Sequence, residues 1–371
     1  MLGTGADTPA GAAASQPMVA ATPRAQWLAR ILGASPFAAA TVLLLASALV
    51  AVTQGTAAIP LPTAIAMFLD RLPFVTAPAD VPEAWRRILF DVRLPRVAAA
   101  GLVGAALSYS GAAYQGVFRN PLADPFLLGV ESGAALGASI AIVSPLPVDS
   151  YGFGWVPLFA FLGACVAVLA VYALSRRGGL ADNATLLLAG IALSAVASGI
   201  TSFMLLTGGP KTFPIFSFLF GGFNTSTWTR LLLATPYFAI GAVVVLLQSR
   251  ALNVLQLDEE QAAHLGVDVT RTKIIVLAAA SMIAAAAVAI AGVIGFVGLI
   301  VPHMVRMVVG NDYRRLLPLT AMLGAAFVIL VDLVARRVLA PQEVPVGIVT
   351  EILGAPFFLY LLRRRGSAGS L

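Results

Sequence analysis

Apolar residues in this chain fall in long runs, and most of the charged residues collect between them. Runs of this kind, each near the roughly 20 residues needed to cross a bilayer, predict membrane-spanning helices. About ten occur, at 37–57, 97–118, 126–144, 155–174, 185–206, 230–248, 274–292, 293–309, 316–335 and 346–362, several interrupted by Gly and Pro. The expected fold is an all-α polytopic membrane protein, because a bilayer offers no water to satisfy an open backbone. Residues 36–365 read as a single transmembrane domain.

One connection is unlike the others. The 25 residues Ser249–Lys273 form a charged, helix-prone island between two apolar runs. Asp258, Glu259 and Glu260 load the first turn of a short helix, where acids favour its dipole, and Gly266 can close it. A plain loop between antiparallel membrane helices needs only a few residues, so a folded insertion here predicts a lever or a docking surface for a soluble partner.

Composition removes the alternatives to a membrane protein. Of 371 residues 59% are hydrophobic and 11% charged, with a mean hydropathy of +0.93, against roughly 25% charged residues in a soluble domain. The net charge of +6 is then no sign of a nucleic-acid partner, and none is expected; basic residues should instead mark one side of the membrane. The single cysteine, Cys165, excludes a disulfide within the chain, and two histidines in unrelated segments, His264 and His303, give no metal-ligand cluster. No nucleophile and base are arranged for catalysis. A phosphate-binding GxxxxGK[ST] loop is also missing: Gly208-Gly209-Pro210-Lys211-Thr212 has Pro where Gly is needed. Any ATP energy must come from another chain.

Residues 1–35, rich in Ala, Gly, Pro, Ser and Thr, read as a disordered cytoplasmic tail, with a cleavable signal peptide as the alternative, and 366–371 as a short C-terminal tail. With the N-terminus inside, 14 basic residues fall on the cytoplasmic side and nine outside, and an even number of spans puts both ends inside. Four of the outer nine, Arg86, Arg87, Arg93 and Arg96, crowd the approach to the second span. Snorkelling to the headgroups accounts for such residues, and an acidic extracellular partner accounts better for Arg93 and Arg96, which flank Pro95.

Four segments carry a resemblance: RLPRVAAAGLVGAALSYSGAAYQGVFRNPLADPFLLGVESGAALGA (93–138), LNVLQLDEEQAAHLGVDV (252–269), IGFVGLIVPHMVRMVVGNDYRRLLP (294–318) and ARRVLAPQEVPVGIVTEILGAPFFLYLLRR (335–364). They resemble FecCD-type permeases, the membrane subunits of binding-protein-dependent ABC importers for iron-siderophores, heme and vitamin B12. The resemblance implies a vitamin B12 importer-like permease fold of about ten helices per subunit, set in the lipid of a bacterial or archaeal inner membrane. It implies a homodimer, two ATP-binding subunits on the cytoplasmic side that hold the ATP and Mg, and an extracytoplasmic substrate-binding protein. The chain itself would then be no enzyme and hold no cofactor.

Residue by residue, the resemblance makes 252–269 the coupling helices, with Leu257, Asp258, Glu259, Glu260, Gln261, Ala262, His264, Leu265 and Gly266 under the ATPase. Asp258 departs from the pattern, since many relatives have Gly there. Arg93, Arg96 and Arg336 match the arginines that dock the binding protein, with Arg337 as the alternative exposed residue beside Arg336. The turn Arg119–Pro125 lies at the family's inner mouth, which makes Asn120 and Leu122 candidate gate residues; read from the residues alone it is a tight connector. Ser198, Thr201 and Ser202 of the fifth span are candidates for the path, although small residues also serve helix packing.

Acids within spans are costly, which singles out Glu131, Asp332 and Glu351. Glu131 and Asp332 lie near span ends, where water or an arginine can satisfy them. The function expected is import of an iron(III) chelate, siderophore or heme, with vitamin B12 as the alternative cargo. A proton-coupled carrier using the three acids is the alternative of another class, and the island argues against it, because a free-standing carrier needs no docking helix.

Overall fold

The computed structural model describes residues 35–55, 59–71, 81–145, 154–177, 180–181 and 183–366, and the residues from Pro36 onward belong to one compact unit. The two predicted tails fall outside the described residues, apart from Ser35 and Gly366. Helices dominate: α1 (Pro36–Thr53), α2 (Leu61–Leu69), α3 (Glu83–Arg87), α4 (Leu94–Val117), α5 (Val130–Val143), α6 (Trp155–Ser175), α7 (Asn183–Thr207) and α8 (Thr212–Leu219). They continue with α9 (Trp228–Leu247), α10 (Ser249–Leu255), α11 (Glu259–His264), α12 (Val269–Ala291), α13 (Val297–Val309), α14 (Tyr313–Arg337) and α15 (Val346–Gly366). A two-residue hairpin, β1 (Arg176–Arg177) with β2 (Leu180–Ala181), is the exception among the described residues.

Every apolar run predicted as a span is occupied by a helix. Six of these, α1, α6, α7, α9, α12 and α14, are long and apolar enough to cross a membrane; the apolar parts of α5, α13 and α15 are shorter. The eighth run starts late, at Val297, because Gly292–Phe296 leaves the helix, with φ of +70° at Gly292 and +67° at Phe296. The third starts late as well: Pro125–Leu128 makes a 3-10 turn and Gly129 sits at φ +78° before α5 begins. At the other end of its run, α4 extends outward. Pro95 has no N–H to give, and the preceding turn, Ile88–Arg93, widens to a π-helix that joins α3 to α4.

The core sits around α4, which is buried along nearly its whole length and packs on α12, α13 and α14. Its composition explains its place. A β-carbon on Gly104 would stand 2.2 Å from the carbonyl oxygen of Gly324 on α14, and one on Gly111 would stand 2.1 Å from that of Gly298 on α13, so backbone meets backbone at both crossings. Small residues permit that approach in a bilayer, where close packing replaces the hydrophobic effect as the force between helices. The helices α1, α6, α7 and α9 are peripheral, each with less than a third of its apolar stretch covered.

Candidate functional site

The bundle has two ends, and ionisable side chains gather at each. At one end lies the island. Asp258 caps α11, its carboxylate accepting from the Glu259 N–H at 2.7 Å. At the far end Gly266 takes φ +85°, its N–H bonds to the Ala263 carbonyl, and the Val267 N–H reaches back to Ala262 at 3.0 Å. That is a Schellman closure, and it needs a left-handed residue at Gly266. Ala262 turns inward and is fully buried, while Leu257 and Leu265 are 58% and 64% exposed beside the exposed Glu260, Gln261 and His264. The island thus presents an acidic surface studded with apolar side chains.

The sequence did not show how firmly this island is tied to the bundle. The Gln256 side chain donates to the carbonyl of Gly116, in the last turn of α4, at 3.2 Å. Asn253 donates to Asp312 at 2.7 Å and accepts from the Tyr313 N–H at 2.8 Å, which fixes the start of α14. Arg306, in the last turn of α13, donates to the Gln115 amide oxygen and, at 3.0 Å, to the Tyr313 hydroxyl. The ends of α4, α13 and α14 and the island are therefore one hydrogen-bonded knot. Asn253 and the Arg306 amide-and-phenol grip hold Asp312 and Tyr313 in place, and the bonds that Asp312 accepts from the Asn253 amide, first, and from the Arg314 N–H, second, hold its carboxyl below the usual carboxylate range.

Beyond α4, Arg119 adopts φ +50° and Asn120 turns its side chain onto the Leu122 N–H at 2.9 Å, so the predicted gate residues sit in a rigid Asx turn. Arg119 donates to Asp258 at 2.9 Å and approaches Glu259 at 3.8 Å, and Glu259 also accepts from Lys273 at 2.6 Å. The Glu259 N–H, first, and Arg119, second, hold the Asp258 carboxyl below its ordinary range. Arg119, which was not among the expected gate residues, thus joins the turn that carries Asn120 and Leu122 to the expected coupling residues Asp258 and Glu259.

The opposite end corrects an expectation. Arg93, Arg96 and Arg336 were expected to face an external partner; they are 4%, 8% and 7% exposed. Arg96 grips Asp332 through Nε at 3.1 Å and Nη2 at 2.9 Å, and Glu343 through Nη1 at 2.9 Å, while Arg336 Nε lies 3.1 Å from Asp332. Arg93 donates to the carbonyls of Val52 and Thr53 at 3.0 and 3.1 Å, and Arg336 to that of Ala51 at 3.3 Å, so both cap the C-terminus of α1, where the helix dipole welcomes cations. In this chain the three guanidinium groups thus meet internal acceptors and are buried, against the exposure expected of them. The exposed residue is Arg337, which donates to Gln54 at 2.7 Å.

The other expected residues scatter. On α7, Ser198, Thr201 and Ser202 lie on one side of the helix, at i, i+3 and i+4, but Ser198 and Ser202 are exposed whereas Thr201 is 3% exposed. Of the acids, Asp332 is neutralised by two arginines, whereas Glu131 feels the negative charges of Asp124 and Glu351. His303 packs edge-on to Phe357. Lys211, in the segment that fails as a phosphate loop, caps α5 through the carbonyls of Val143 and Ser144 at 2.7 and 3.1 Å. Among the described residues no group of three or more His, Cys, Asp or Glu is placed to hold a metal ion.

Comparison with known proteins places this geometry. The chain is 48% identical over 285 residues to the cobalamin import system permease protein BtuC of Halobacterium salinarum, covering 77% of this chain and 76% of the relative. It is 42% identical over 292 residues to the hemin transport system permease protein HmuU of Yersinia pestis, covering 76% and 85%. Its fold superposes on a solved protein described as a metal-chelate-type ABC transporter in an inward-facing conformation, with a TM-score of 0.76, 33% identity, and coverage of 88% of this chain and 98% of the other. Residues 42–364 match the FecCD transport family, and the chain belongs to that family of multi-helix membrane permeases.

Proposed function

We propose that this chain is the membrane subunit of a binding-protein-dependent ABC importer that moves a metal chelate inward, driven by ATP hydrolysis on a separate subunit. The observation that carries the reading is the island: an exposed, capped helix knotted to the ends of α4, α13 and α14, in a chain without a phosphate-binding loop. Two such chains would pair around the path, with two ATPases against the islands on the cytoplasmic side and a binding protein on the opposite face. Both termini would be cytoplasmic, in the inner membrane of a bacterium or archaeon. At the outer face the buried Arg96, Asp332 and Arg336, with the partly exposed Glu343, would shape the 338–345 loop on which the binding protein rests, and Arg337 would be a rim charge that steers it.

As cargo we propose a metal in a tetrapyrrole-type ring, heme or a corrinoid. Relatives named for cobalamin and hemin transport are 48% and 42% identical, against 40% for one named for iron chelatin, 38% for one named for molybdate and 35% for one named for ferric dicitrate. The test is uptake of labelled cobalamin, hemin and a ferric siderophore by cells lacking only this gene. Loss of cobalamin or heme uptake, restored by the gene, is expected; loss of siderophore uptake alone would reassign the cargo, and no change in any of the three would remove the metal-chelate reading.

A further inference from the structure

Most bonds that fasten the island bear on helix ends, but one bears on the turn beyond α4 itself. Arg119 is held at φ +50°, which aims its guanidinium away from α4 and across to the start of α11. There it meets Asp258 at 2.9 Å, and a continuous alternation of charge then runs through Glu259 to Lys273 in the second turn of α12. The residues that follow Arg119 have little freedom of their own. Asn120 fixes Leu122, Asp124 accepts from the Phe126 N–H at 2.9 Å, and Gly129 breaks the chain into α5. A pull on Arg119 therefore moves 119–128 as a unit, and Asp258 is the group in position to pull.

We propose that Arg119 and Asp258 are positioning residues that transmit displacement of the island to the 119–128 turn, so that the turn follows the soluble partner through their exposed ion pair, with Glu259 a longer second contact of Arg119. This rests on the reading of the island as the ATPase-docking surface. Asp258 serves two ends at once: it caps α11 and anchors Arg119, so movement of the α11 N-terminus cannot leave the turn behind without breaking the pair. Exposed pairs of this kind contribute little to folding. They hold register while still letting two arrangements interconvert, which a buried pair would oppose.

The test uses the full permease with its ATPase subunits in proteoliposomes, with Leu122→Cys as reporter in a Cys165→Ala background. The rate of Leu122→Cys modification by a water-soluble maleimide is compared without nucleotide and with ATP plus vanadate. A link of this strength biases a two-state balance by up to about fivefold. Asp258→Gly and Arg119→Gln are each expected to shrink the nucleotide-dependent change by about that factor, and Arg119→Asp combined with Asp258→Arg to restore it. An undiminished response in the single variants, or a charge swap that fails to restore it, overturns the proposal. Co-purification separates the two readings: a parent permease that retains no ATPase overturns the docking reading and this inference with it. ATPase lost only from the single variants makes the pair a docking contact and overturns transmission alone.

Discussion

At the arginine end of the bundle the side chains of Arg96 and Asp332 are 10% and 1% exposed, whereas at the island end those of Arg119 and Asp258 are 35% and 51% exposed. Both ends are cross-linked by ions between distant segments, yet the environments give the links opposite roles. A buried pair has lost its water and must keep every partner, so it fixes α1, α4, α14 and the 338–345 loop in one arrangement. An exposed pair can trade its partner for water at small cost, so it holds position without forbidding movement. The difference teaches that the rigid reference of this molecule lies at the arginine end and its adjustable joint at the island end.

The sharpest way to break that comparison is to remove the shared acid. Asp332→Asn leaves Arg96 and Arg336 buried with half their counter-charge gone, and is expected to destabilise the protein by about 3–5 kcal/mol. Thermal unfolding of the detergent-solubilised permease measures it, and an unchanged melting temperature would show that water reaches the cluster. A smaller effect is expected inside the island knot. Asn253→Ala removes one bond to Asp312 and one to the Tyr313 N–H; Asp312 is partly exposed but Tyr313 is 1% exposed, so a loss of about 1–3 kcal/mol is expected in the same assay. If the loss instead matched that of Asp332→Asn, the island end would be as rigid as the other, and the contrast would fail.

Hydropathy made the long helices legible because each carries a long apolar run, and the island because charge separates two of them. The Asp258 cap and the Gly266 closure were readable for the same reason: both are local, within one short helix. What stayed hidden depends on long-range pairing. Arg96 finds Asp332 and Glu343 across 236 and 247 residues, and no pattern near Arg96 announces either acid. One signal was available, the spacing of Asp332 and Arg336 four residues apart on a helix, which favours an internal pair over an outward-facing arginine. The short helices α2, α3 and α8 were missed because they lie outside or at the edge of the long runs, and the late start of α13 because Gly292–Phe296 is as apolar as the helices it separates.

The mildest probe sharpens the comparison without a mutation. The Debye length falls from about 10 Å at 0.1 M salt to about 3 Å at 1 M, so salt weakens exposed pairs and spares buried ones. Amide hydrogen exchange is then expected to rise modestly, by less than about threefold, in 119–124 and 256–266 on going to 1 M salt, and to stay unchanged in 93–96 and 332–343. Acid acts on the same joint in a defined window. The carboxyl of Asp258 is depressed in the folded protein, so its pairing is fully present above the ordinary aspartate value of about 3.9 and is lost only as pH falls through the lower native one. Exchange in 119–124 should therefore show no step between pH 5 and 8 once the intrinsic rate is divided out. A step in that range would mean that a group other than Asp258 holds the turn, and would move the joint away from the Arg119 pair.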